Sequence, residues 1–333
     1  MKILVVGAGF SGATVAHELH KAGHVVTVID ERPHIGGNAY DYYNDVGIRV
    51  HKYGPHLFHT NNKKVYDWIT QFGIWTEYKH KVKALLDDGQ YVTLPVNRET
   101  KDIVGEENII DTFYRPYTRK MWDKEIEELD PNIIKRVAIR DDDNEYYFPD
   151  DKYQILPNEG YTKIFEEILS GIRVWLNVKF KDHMESYYDY IFNSMAIDEY
   201  FKLQKGPLPY RSIKFHHVNL PCKKALPATT INFTHEEPYT RMTEWKHMPH
   251  HGYGDWTTIT YEEPCDYTQN NLERYYPVKD IDGLNRKKYE EYKAMVPDNM
   301  TFIGRCGMYV YIDMHQAINS ALTTVKKFLE KNK

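Results

Sequence analysis

Cysteine is scarce in this chain, and its distribution excludes two classes of protein. Cys222, Cys265 and Cys306 are the only cysteines, and no two of them form a CxxC pair. An odd number of widely spaced thiols does not suit a disulfide framework and lacks the paired spacing of a zinc site. We therefore expect a reducing compartment and predict a cytoplasmic location.

Long apolar runs, excess positive charge, internal repeats and low-complexity linkers are also absent. No apolar run approaches the roughly 20 residues that span a bilayer. The formal net charge is −5, so nothing attracts the chain to nucleic acid or to an anionic membrane, and neither is predicted as a partner. Hydrophobic residues make up 41% and charged residues 27% of the chain, which indicates a globular protein instead of a disordered one.

The first forty residues have the pattern of a dinucleotide-binding unit. The apolar runs KILVV (2–6) and VVTVI (25–29) are suited to buried parallel strands, and a helical stretch lies between them. Asp30 follows the second run, where a carboxylate can accept hydrogen bonds from ribose hydroxyls and disfavours a 2′-phosphate. This order of elements predicts a nucleotide cofactor.

The turn between the first strand and the helix is GAGFSG. Gly7 permits the tight turn, Gly9 lets the backbone approach a pyrophosphate, and Gly12 lets the helix pack closely against the strand. The helix N-terminus offers unpaired N–H groups and the positive end of its dipole to phosphate. A glycine motif alone is a weak signal, but its flanking strands, helix and acid make it a strong one.

A second glycine pair follows this unit. The segment ERPHIGGNAYD places Arg32, then Gly36 and Gly37, just after the second strand. This arrangement resembles the glutathione-reductase-like flavoprotein superfamily, in which the pair brings the backbone close to FAD. The resemblance favours FAD over NAD, although spacing alone does not separate the two cofactors.

The remaining pattern predicts an α/β fold with a discontinuous nucleotide domain. KVKALLDDGQYVTLPV (81–96) is typical of a hairpin, alternation over 214–260 favours an antiparallel sheet, and apolar spacing over 313–331 favours a final helix. The predicted parts are a Rossmann-like, glutathione-reductase-like FAD-binding domain (1–75, 152–202 and 298–333), a short helical insert (97–137) and an antiparallel sheet domain that binds substrate (76–96, 138–151 and 203–297). The ligand cleft is expected where these parts meet.

Seven further segments carry a more specific resemblance. They are HKYGPHLFHT (51–60), PYTRKMW (116–122), IIKRVAIR (133–140), NEGYTKI (158–164), INFTHEEPYTR (231–241), YYPV (275–278) and YVYIDMHQAI (309–318). In this order they resemble the UDP-galactopyranose mutase family almost from end to end. The resemblance implies reversible ring contraction of UDP-galactopyranose to UDP-galactofuranose, without net redox change.

The resemblance also implies the chemistry of the cofactor. FAD is active in its reduced form, so an external reductant such as NAD(P)H is an implied partner. The flavin N5 attacks the anomeric carbon as UDP leaves, and a flavin–sugar adduct follows. The cofactor supplies the nucleophile, while the protein supplies orientation and charge stabilisation.

Site residues are carried over from the matching motifs. The implied catalytic residues are Arg140 and Arg241 on the diphosphate, His56 near the flavin ring, and Tyr311 and Asp313 near the sugar. The implied substrate contacts are Asn97, Phe113, Tyr117, Thr118, Trp122, Tyr147, Asn232, Tyr275 and Tyr276. The implied FAD contacts are Gly7, Gly9, Phe10, Ser11, Gly12, Asp30, Glu31, Arg32, Gly36, Gly37, Asn38, His56, Arg305, Asp313 and Met314.

Structural readings of several of these residues stay open. Asp313 is also a plausible N-cap of the final helix. Phe113, Tyr117 and Met121 also have the spacing of one buried helical stripe. Either diphosphate arginine is also compatible with a surface salt bridge, and the run DDDNE after Arg140 suits a mobile loop that closes over substrate.

Three histidines, His51, His56 and His59, lie within nine residues. In the sequence neither carboxylates nor cysteines cluster with them, and the resembled family uses no metal. We therefore predict no metal site.

The chain departs from the family pattern in three places, one of which is Asn158 and Glu159, where a glycine is usual. Only residues 98–112 separate LPVN from FYRPYT, so the helical insert is shortened; the family's homodimer contacts involve this insert. Asn193 and Ser194 stand where the family has a threonine–glycine pair near the flavin. Two other functions are therefore kept open: an FAD-dependent oxidoreductase of the amine-oxidase type, and a weakly catalytic protein that binds FAD and a UDP-sugar.

Overall fold

The computed structural model describes residues 1–128 and 139–332. The strands are β1 Lys2–Val6, β2 Val25–Ile29, β3 Asp41–Tyr43, β4 Arg49–His51, β5 Phe58–Thr60, β6 Trp75–Glu77, β7 Val82–Leu85, β8 Tyr91–Leu94, β9 Tyr153–Pro157, β10 Arg173–Trp175, β11 Tyr190–Asn193, β12 Tyr210–Leu220, β13 Thr230–Phe233, β14 Arg241–Glu244, β15 Thr257–Asp266, β16 Tyr276–Pro277 and β17 Met300–Phe302. The α-helices are α1 Phe10–Lys21, α2 Lys63–Ile69, α3 Arg98–Val104, α4 Arg115–Trp122, α5 Tyr161–Ile168, α6 Ile197–Tyr200, α7 Leu284–Lys293, α8 Gly304–Gly307 and α9 Met314–Lys331. Short 3₁₀ turns lie at Gly37–Ala39, Thr70–Phe72, Glu106–Asn108, Ile126–Glu128, Asp182–Tyr187, Trp245–His247 and Tyr267–Gln269, and a π-helical turn lies at Ile110–Tyr114.

A five-stranded parallel sheet has the order β10-β2-β1-β11-β17. Alternate residues of β1 face opposite sides, so Ile3 and Val5 pack with α1 and α9, while Leu4 and Val6 pack in a second cluster on the other face. The strand order reverses between β1 and β11. Ligands of such sheets bind outside the carboxyl ends of the strands at this point. The predicted Rossmann-like α/β class is confirmed.

A seven-stranded, mostly antiparallel sheet has the order β16-β12-β15-β14-β13-β7-β8. The pair of β13 and β7 is parallel, whereas the other neighbours are antiparallel. The predicted hairpin is formed by β7 and β8, and the predicted 214–260 sheet is formed by β12 to β15. Two smaller antiparallel sheets, β3-β4 and β5-β9-β6, complete the described strands.

The helical insert is fastened to the large sheet through α4. Lys120 Nζ donates hydrogen bonds of 2.8 to 3.0 Å to three backbone carbonyls in the β13–β14 region. Arg211 on β12 donates to the carbonyls of Lys120 and Met121 at the C-terminal end of α4. Burial lowers the pKa of Lys120 to about 8. These contacts fix α4 relative to the strand that carries Arg241.

Residues 129–138 lie outside the described part of the chain. They include much of the segment IIKRVAIR and the end of the predicted insert 97–137, so the domain boundaries stay a prediction. Among the residues described, no helix is both long and apolar enough to cross a membrane.

Candidate active site

A cavity of about 380 Å³ lies where the two glycine turns meet. All the residues predicted to contact FAD line it, from Gly7 in the first turn to Met314 at the start of α9. Ser194, which the sequence places near the flavin, also lines it. Sequence reasoning missed other lining residues: Val6, Ala39, Val178, Lys179, Phe180, Met195, Ala196, Glu199, Asn271, Leu272, Glu273, Arg274, Gly304, Cys306, Ile312 and Ala317. The cofactor contacts themselves stay a prediction.

The glycine turns pack directly against each other. Gly37 has φ +55°, and a Cβ there would lie 2.8 Å from the Cα of Gly9. A Cβ on Gly12 would collide with the carbonyl oxygen of Gly7. Gly9 is the N-cap of α1 and provides no side-chain cap, so the first N–H groups of α1 are available to phosphate. The two glycine turns and the start of α1, here called the nucleotide cradle, therefore suit a dinucleotide diphosphate.

Ser194 fills the space beside the first turn. Its Oγ donates a 2.7 Å hydrogen bond to the carbonyl of Val6, and a Cβ added to Gly7 would collide with that hydroxyl. The bulkier residue at this departure from the family pattern is thus folded back onto β1.

Asp30 connects the two turns. Its Oδ2 accepts from the N–H of Ala8 at 2.8 Å, and its Oδ1 accepts from the N–H of Arg32 at 2.9 Å. An ionised carboxylate has further acceptor sites, so the predicted ribose contact remains compatible with this structural role.

Arg32 joins the cavity wall to a distant loop. Its guanidinium forms a 2.6 Å ion pair with Glu273, donates to Asn38 Oδ1 at 2.9 Å and lies over the ring of Tyr53. Burial opposes its charge, but Glu273 and neighbouring groups more than compensate, so the pKa of Arg32 is raised. The segment around Glu273 thereby closes one side of the cavity.

His56 presents a neutral imidazole to the cavity. Its Nδ1 donates to the carbonyl of Gly54 at 2.8 Å, which leaves Nε2 as an acceptor. Burial lowers the pKa of His56 to about 4, and the charges of Arg305 and Arg241 act in the same direction. At neutral pH this residue therefore accepts a hydrogen bond or shapes the cavity without adding charge.

Two further histidines predict an acid-sensitive fold. His80 and His251 are 4% and 1% exposed, and burial lowers the pKa of each to about 3. Between about pH 6.5 and pH 3 these two histidines are protonated in the unfolded chain, where their pKa is near 6.5, but stay neutral in the folded protein. Their contribution is therefore fully present above about pH 6.5 and is lost as the pH falls toward 3.

Because His80 and His251 are protonated only when the chain unfolds, we expect each to lower the free energy of unfolding by about 2 kcal/mol at pH 5 relative to pH 7.5. Urea unfolding at both pH values measures this loss, and His80→Gln should lose less than the wild type. Superimposable unfolding curves at the two pH values would contradict the assignment.

Arg305 lies between the cofactor cavity and a group of tyrosines. Its guanidinium donates to the carbonyls of Tyr275 at 3.0 Å and Ile312 at 2.7 Å. It also lies 5.3 Å from the ring centre of Tyr276 and 4.9 Å from that of Tyr311. One side chain thus supports both the cavity wall and the stacked tyrosines.

Arg305→Ala should weaken FAD binding about tenfold to a hundredfold, because it removes two charge-assisted hydrogen bonds from the cavity wall. The flavin-to-protein ratio after gel filtration measures the effect. Arg286→Ala is the matched control, since Arg286 is an exposed arginine that pairs with Glu290 on its own helix. Equal flavin content in the two variants would refute the role of Arg305.

Arg241 on β14 is paired with a buried acid that sequence reasoning missed. Arg241 Nε lies 2.8 Å from Oε2 of Glu262, whose side chain is 2% exposed, whereas that of Arg241 is 30% exposed. Burial alone would lower the pKa of Arg241. The charge of Glu262 and the neighbouring tyrosines raise the pKa by more than burial lowers it, so the net shift is upward. The guanidinium is therefore a fixed cation that stays partly exposed.

Tyrosines surround this cation. Tyr276 and Tyr311 stack at 5.2 Å with an interplanar angle of 16°, and the ring of Trp122 lies 6.2 Å from that of Tyr276. Burial raises the pKa values of Tyr117, Tyr147 and Tyr276, and the nearby charge of Arg241 partly offsets each shift. These phenols stay protonated at neutral pH and can donate hydrogen bonds without adding charge.

Asn232 lies opposite Arg241 in the register of β13 and β14. The structure therefore brings this predicted polar contact beside Arg241.

Arg140 is held by backbone carbonyls. Its guanidinium donates to the carbonyls of Asn144 at 2.8 Å and Tyr146 at 3.1 Å, with a longer bond to that of Pro95. The side chain is 9% exposed, and its buried Nε has no hydrogen-bond partner among the described residues. The chain after Arg140 is fastened by ion pairs from Lys101 to Asp141, Arg98 to Asp143 and Lys81 to Glu145.

Several predicted site residues have a clear structural role in the fold. Asn97 is 1% exposed and caps α3 through Thr100 N–H, and Asp313 forms a capping box with Gln316 at the start of α9. Phe113 packs in the core beside β7 and β8. Thr118 and Tyr275 are also buried. Their predicted substrate contacts stay predictions.

The expectation that no carboxylate clusters with His51, His56 and His59 is wrong for His59. Asp151 lies 2.5 Å from its Nδ1, and Asp313 lies close to it. Asp151 lies 92 positions and Asp313 lies 254 positions along the chain from His59. Only the tertiary fold brings them to this histidine, so the local sequence does not indicate the contact.

The chain is similar to known proteins in sequence and in fold. A family model described as UDP-galactopyranose mutase matches residues 112–311, and one described as an NAD(P)-binding Rossmann-like domain matches residues 5–72. The chain is 30% identical to the dTDP-fucopyranose mutase of Escherichia coli over 100% of this chain and 99% of that protein. It is 31% identical to the probable UDP-galactopyranose mutase of Klebsiella pneumoniae over 98% of this chain and 94% of that protein. A crystal structure of reduced UDP-galactopyranose mutase is similar in fold, with a TM-score of 0.77 at 16% identity, and the match covers 99% of this chain and 95% of that one.

Proposed function

Because this chain belongs to the UDP-galactopyranose mutase family, a family of nucleotide-sugar mutases, we propose that it interconverts UDP-galactopyranose and UDP-galactofuranose with reduced FAD. One observation carries the proposal. Arg305 lines the cofactor cavity and also lies over Tyr276 and Tyr311. A nucleotide sugar bound beside Arg241 would therefore lie next to whatever fills the cavity.

The cavity residues fit FAD. The uncapped start of α1 and the two interlocked glycine turns suit its diphosphate, and Arg305 and the neutral His56 lie farther along the wall. When bound and reduced, FAD supplies a nucleophilic ring nitrogen at the sugar. We propose NAD(P)H or a similar external reductant as the source of its electrons.

The protein's own part is to bind and stabilise charge. As UDP leaves the sugar, negative charge grows on the diphosphate, and a fixed guanidinium there stabilises the transition state more than the ground state. Arg241 is preorganised by Glu262, so it needs no reorganisation when the charge appears. Tyrosine hydroxyls can bond the phosphate oxygens without competing for charge.

Arg140 is proposed as the second diphosphate ligand. It is held to backbone carbonyls, and its buried Nε has no hydrogen-bond partner among the described residues and lies 3.9 Å from Oδ1 of Asp142. A closing movement of the segment after Arg140 would exchange these carbonyls for phosphate oxygens, which form stronger, bidentate bonds with arginine.

The proposal extends to the position of the nucleotide base and to the identity of the sugar. We propose that the base lies on Trp122, close to Tyr117 and Thr118 on α4, because α4 is fixed to the sheet that bears Arg241. Full-length similarity to the dTDP-fucopyranose mutase favours one second candidate, dTDP-fucopyranose.

The experiment compares both substrates with the purified protein after reduction by dithionite. Ring expansion, the reverse of the ring contraction, is followed by chromatography of the nucleotide sugars, and kcat/KM is compared for UDP-galactofuranose and dTDP-fucofuranose. A higher kcat/KM for the UDP-sugar supports the proposal, whereas a higher value for the dTDP-sugar selects the second candidate. Bound flavin without conversion of either sugar would contradict both and leave the binding protein or the oxidoreductase.

A further inference from the structure

His59 belongs to a cluster of side chains of the types that bind metal ions. His59 from β5, Asp313 at the cap of α9 and His315 in the first turn of α9 offer ligand atoms that lie within 4.8 Å of one another. Across residues 1–128 and 139–332 this is the one such group of three histidine, cysteine or acidic side chains. All three are half-buried, so a small ion can enter from solvent.

His59 is oriented in the way that metal-binding histidines usually are. Its Nδ1 donates to Oδ2 of Asp151 at 2.5 Å, and the other oxygen of Asp151 accepts from Asn61 at 2.9 Å. The imidazole also stacks on Phe148 at 3.7 Å with an interplanar angle of 12°. A carboxylate on one ring nitrogen fixes the tautomer and leaves Nε2 with its lone pair free for a metal.

The other two ligands are also available. Asp313 uses its carboxylate to cap α9 through the N–H of Gln316, but a carboxylate has acceptor sites beyond that bond. The ring of His315 lies 5.5 Å from that of His59. Within the described part of the chain, no hydrogen bond engages either ring nitrogen of His315.

We propose that His59, Asp313 and His315 form a binding site for a divalent transition metal ion, with Zn²⁺ as its representative. Two imidazoles and one carboxylate suit Zn²⁺, and three protein ligands leave a coordination position for water. Asp313 also lines the cofactor cavity, so the ion would lie at the edge of that cavity. The inference does not depend on the proposed function, since metal binding is measured without turnover.

The test is calorimetric titration of the flavin-containing protein with ZnCl₂ after removal of metal by a chelator. We expect one equivalent of Zn²⁺ to bind per chain at this site. His315→Ala and Asp313→Asn should each weaken it at least about tenfold, and Asn preserves the helix cap. Asp151→Asn should weaken it about tenfold through the loss of the orienting carboxylate.

His235→Ala is the matched control. His235 Nδ1 lies 2.8 Å from Asp87, and its side chain is 24% exposed against 18% for His59, but it belongs to no such cluster among the described residues. Zn²⁺ affinity should be unchanged in His235→Ala. The proposal is overturned if the wild type binds no stoichiometric Zn²⁺, or if His235→Ala weakens binding as much as His315→Ala does.

Discussion

Arg241→Ala lowers kcat/KM by about two to three decades in the expected result, because a charged donor aimed at developing charge contributes roughly 3 to 4 kcal/mol to the transition state. The structure supports a large value for this arginine. Glu262 holds Arg241 in one orientation at 2.8 Å, and Tyr276 and Tyr311 stack nearby. Steady-state kinetics of the reduced enzyme measures the loss.

The variant needs a control, since removal of Arg241 leaves the buried Glu262 without its partner, which is itself destabilising. The pair variant Arg241→Ala with Glu262→Gln removes that charge, and it should fold and bind flavin while remaining two to three decades slower. Arg241→Lys should recover part of the rate, because it restores the charge without the planar fork. An unchanged kcat/KM in the pair variant would refute the diphosphate role of Arg241. For Arg140→Ala we expect the same loss of two to three decades in kcat/KM.

Gly37→Ala should abolish stoichiometric flavin binding, with a flavin-to-protein ratio lowered by at least tenfold. The added methyl group would lie 2.8 Å from the Cα of Gly9, so the two glycine turns would separate. Crowding of this kind costs about 1 to 3 kcal/mol, in addition to the strain of a left-handed alanine. Flavin absorbance of the purified protein, divided by its concentration, measures the effect.

Gly47→Ala separates crowding from strain. Gly47 has φ +74°, similar to the +55° of Gly37, but nothing lies within 4 Å of the position of its Cβ. Both variants therefore carry the strain, and only Gly37→Ala carries the collision. If Gly47→Ala loses as much flavin as Gly37→Ala, contact between the turns does not explain the cradle.

The nucleotide cradle could be predicted from the sequence because its parts are local. Gly7, Gly9 and Gly12 lie in one turn, and the adjoining strands have unmistakable apolar runs. The final helix and its cap at Asp313 were predictable for the same reason, since a capping residue and a helical apolar pattern lie side by side.

The rest of the site depends on contacts between distant segments. Glu262 faces Arg241 because β14 and β15 pair in one register, and no spacing in the sequence reveals that register. Glu273 closes the cavity through an ion pair with Arg32, 241 residues away. The approach of Asp151 and Asp313 to His59 was missed for the same reason.

Local signals also carried more than one meaning. Asn97 and Asp313 match family positions near substrate, yet each caps a helix in the fold. Phe113 has the spacing of both a ligand pocket and a helical core, and it packs in the core. A side chain that stabilises an element next to the cleft produces the same sequence pattern as one that contacts a ligand.

Anaerobic conversion of UDP-galactofuranose by the dithionite-reduced protein, with the flavin spectrum and the nucleotide-sugar products recorded together, tests the central claim most directly. We predict many turnovers to UDP-galactopyranose while the spectrum remains that of reduced flavin, because the reaction has no net redox change. No ring expansion by the reduced protein, together with flavin reduction and an oxidised sugar product when the oxidised protein is mixed with the sugar nucleotide, would contradict it.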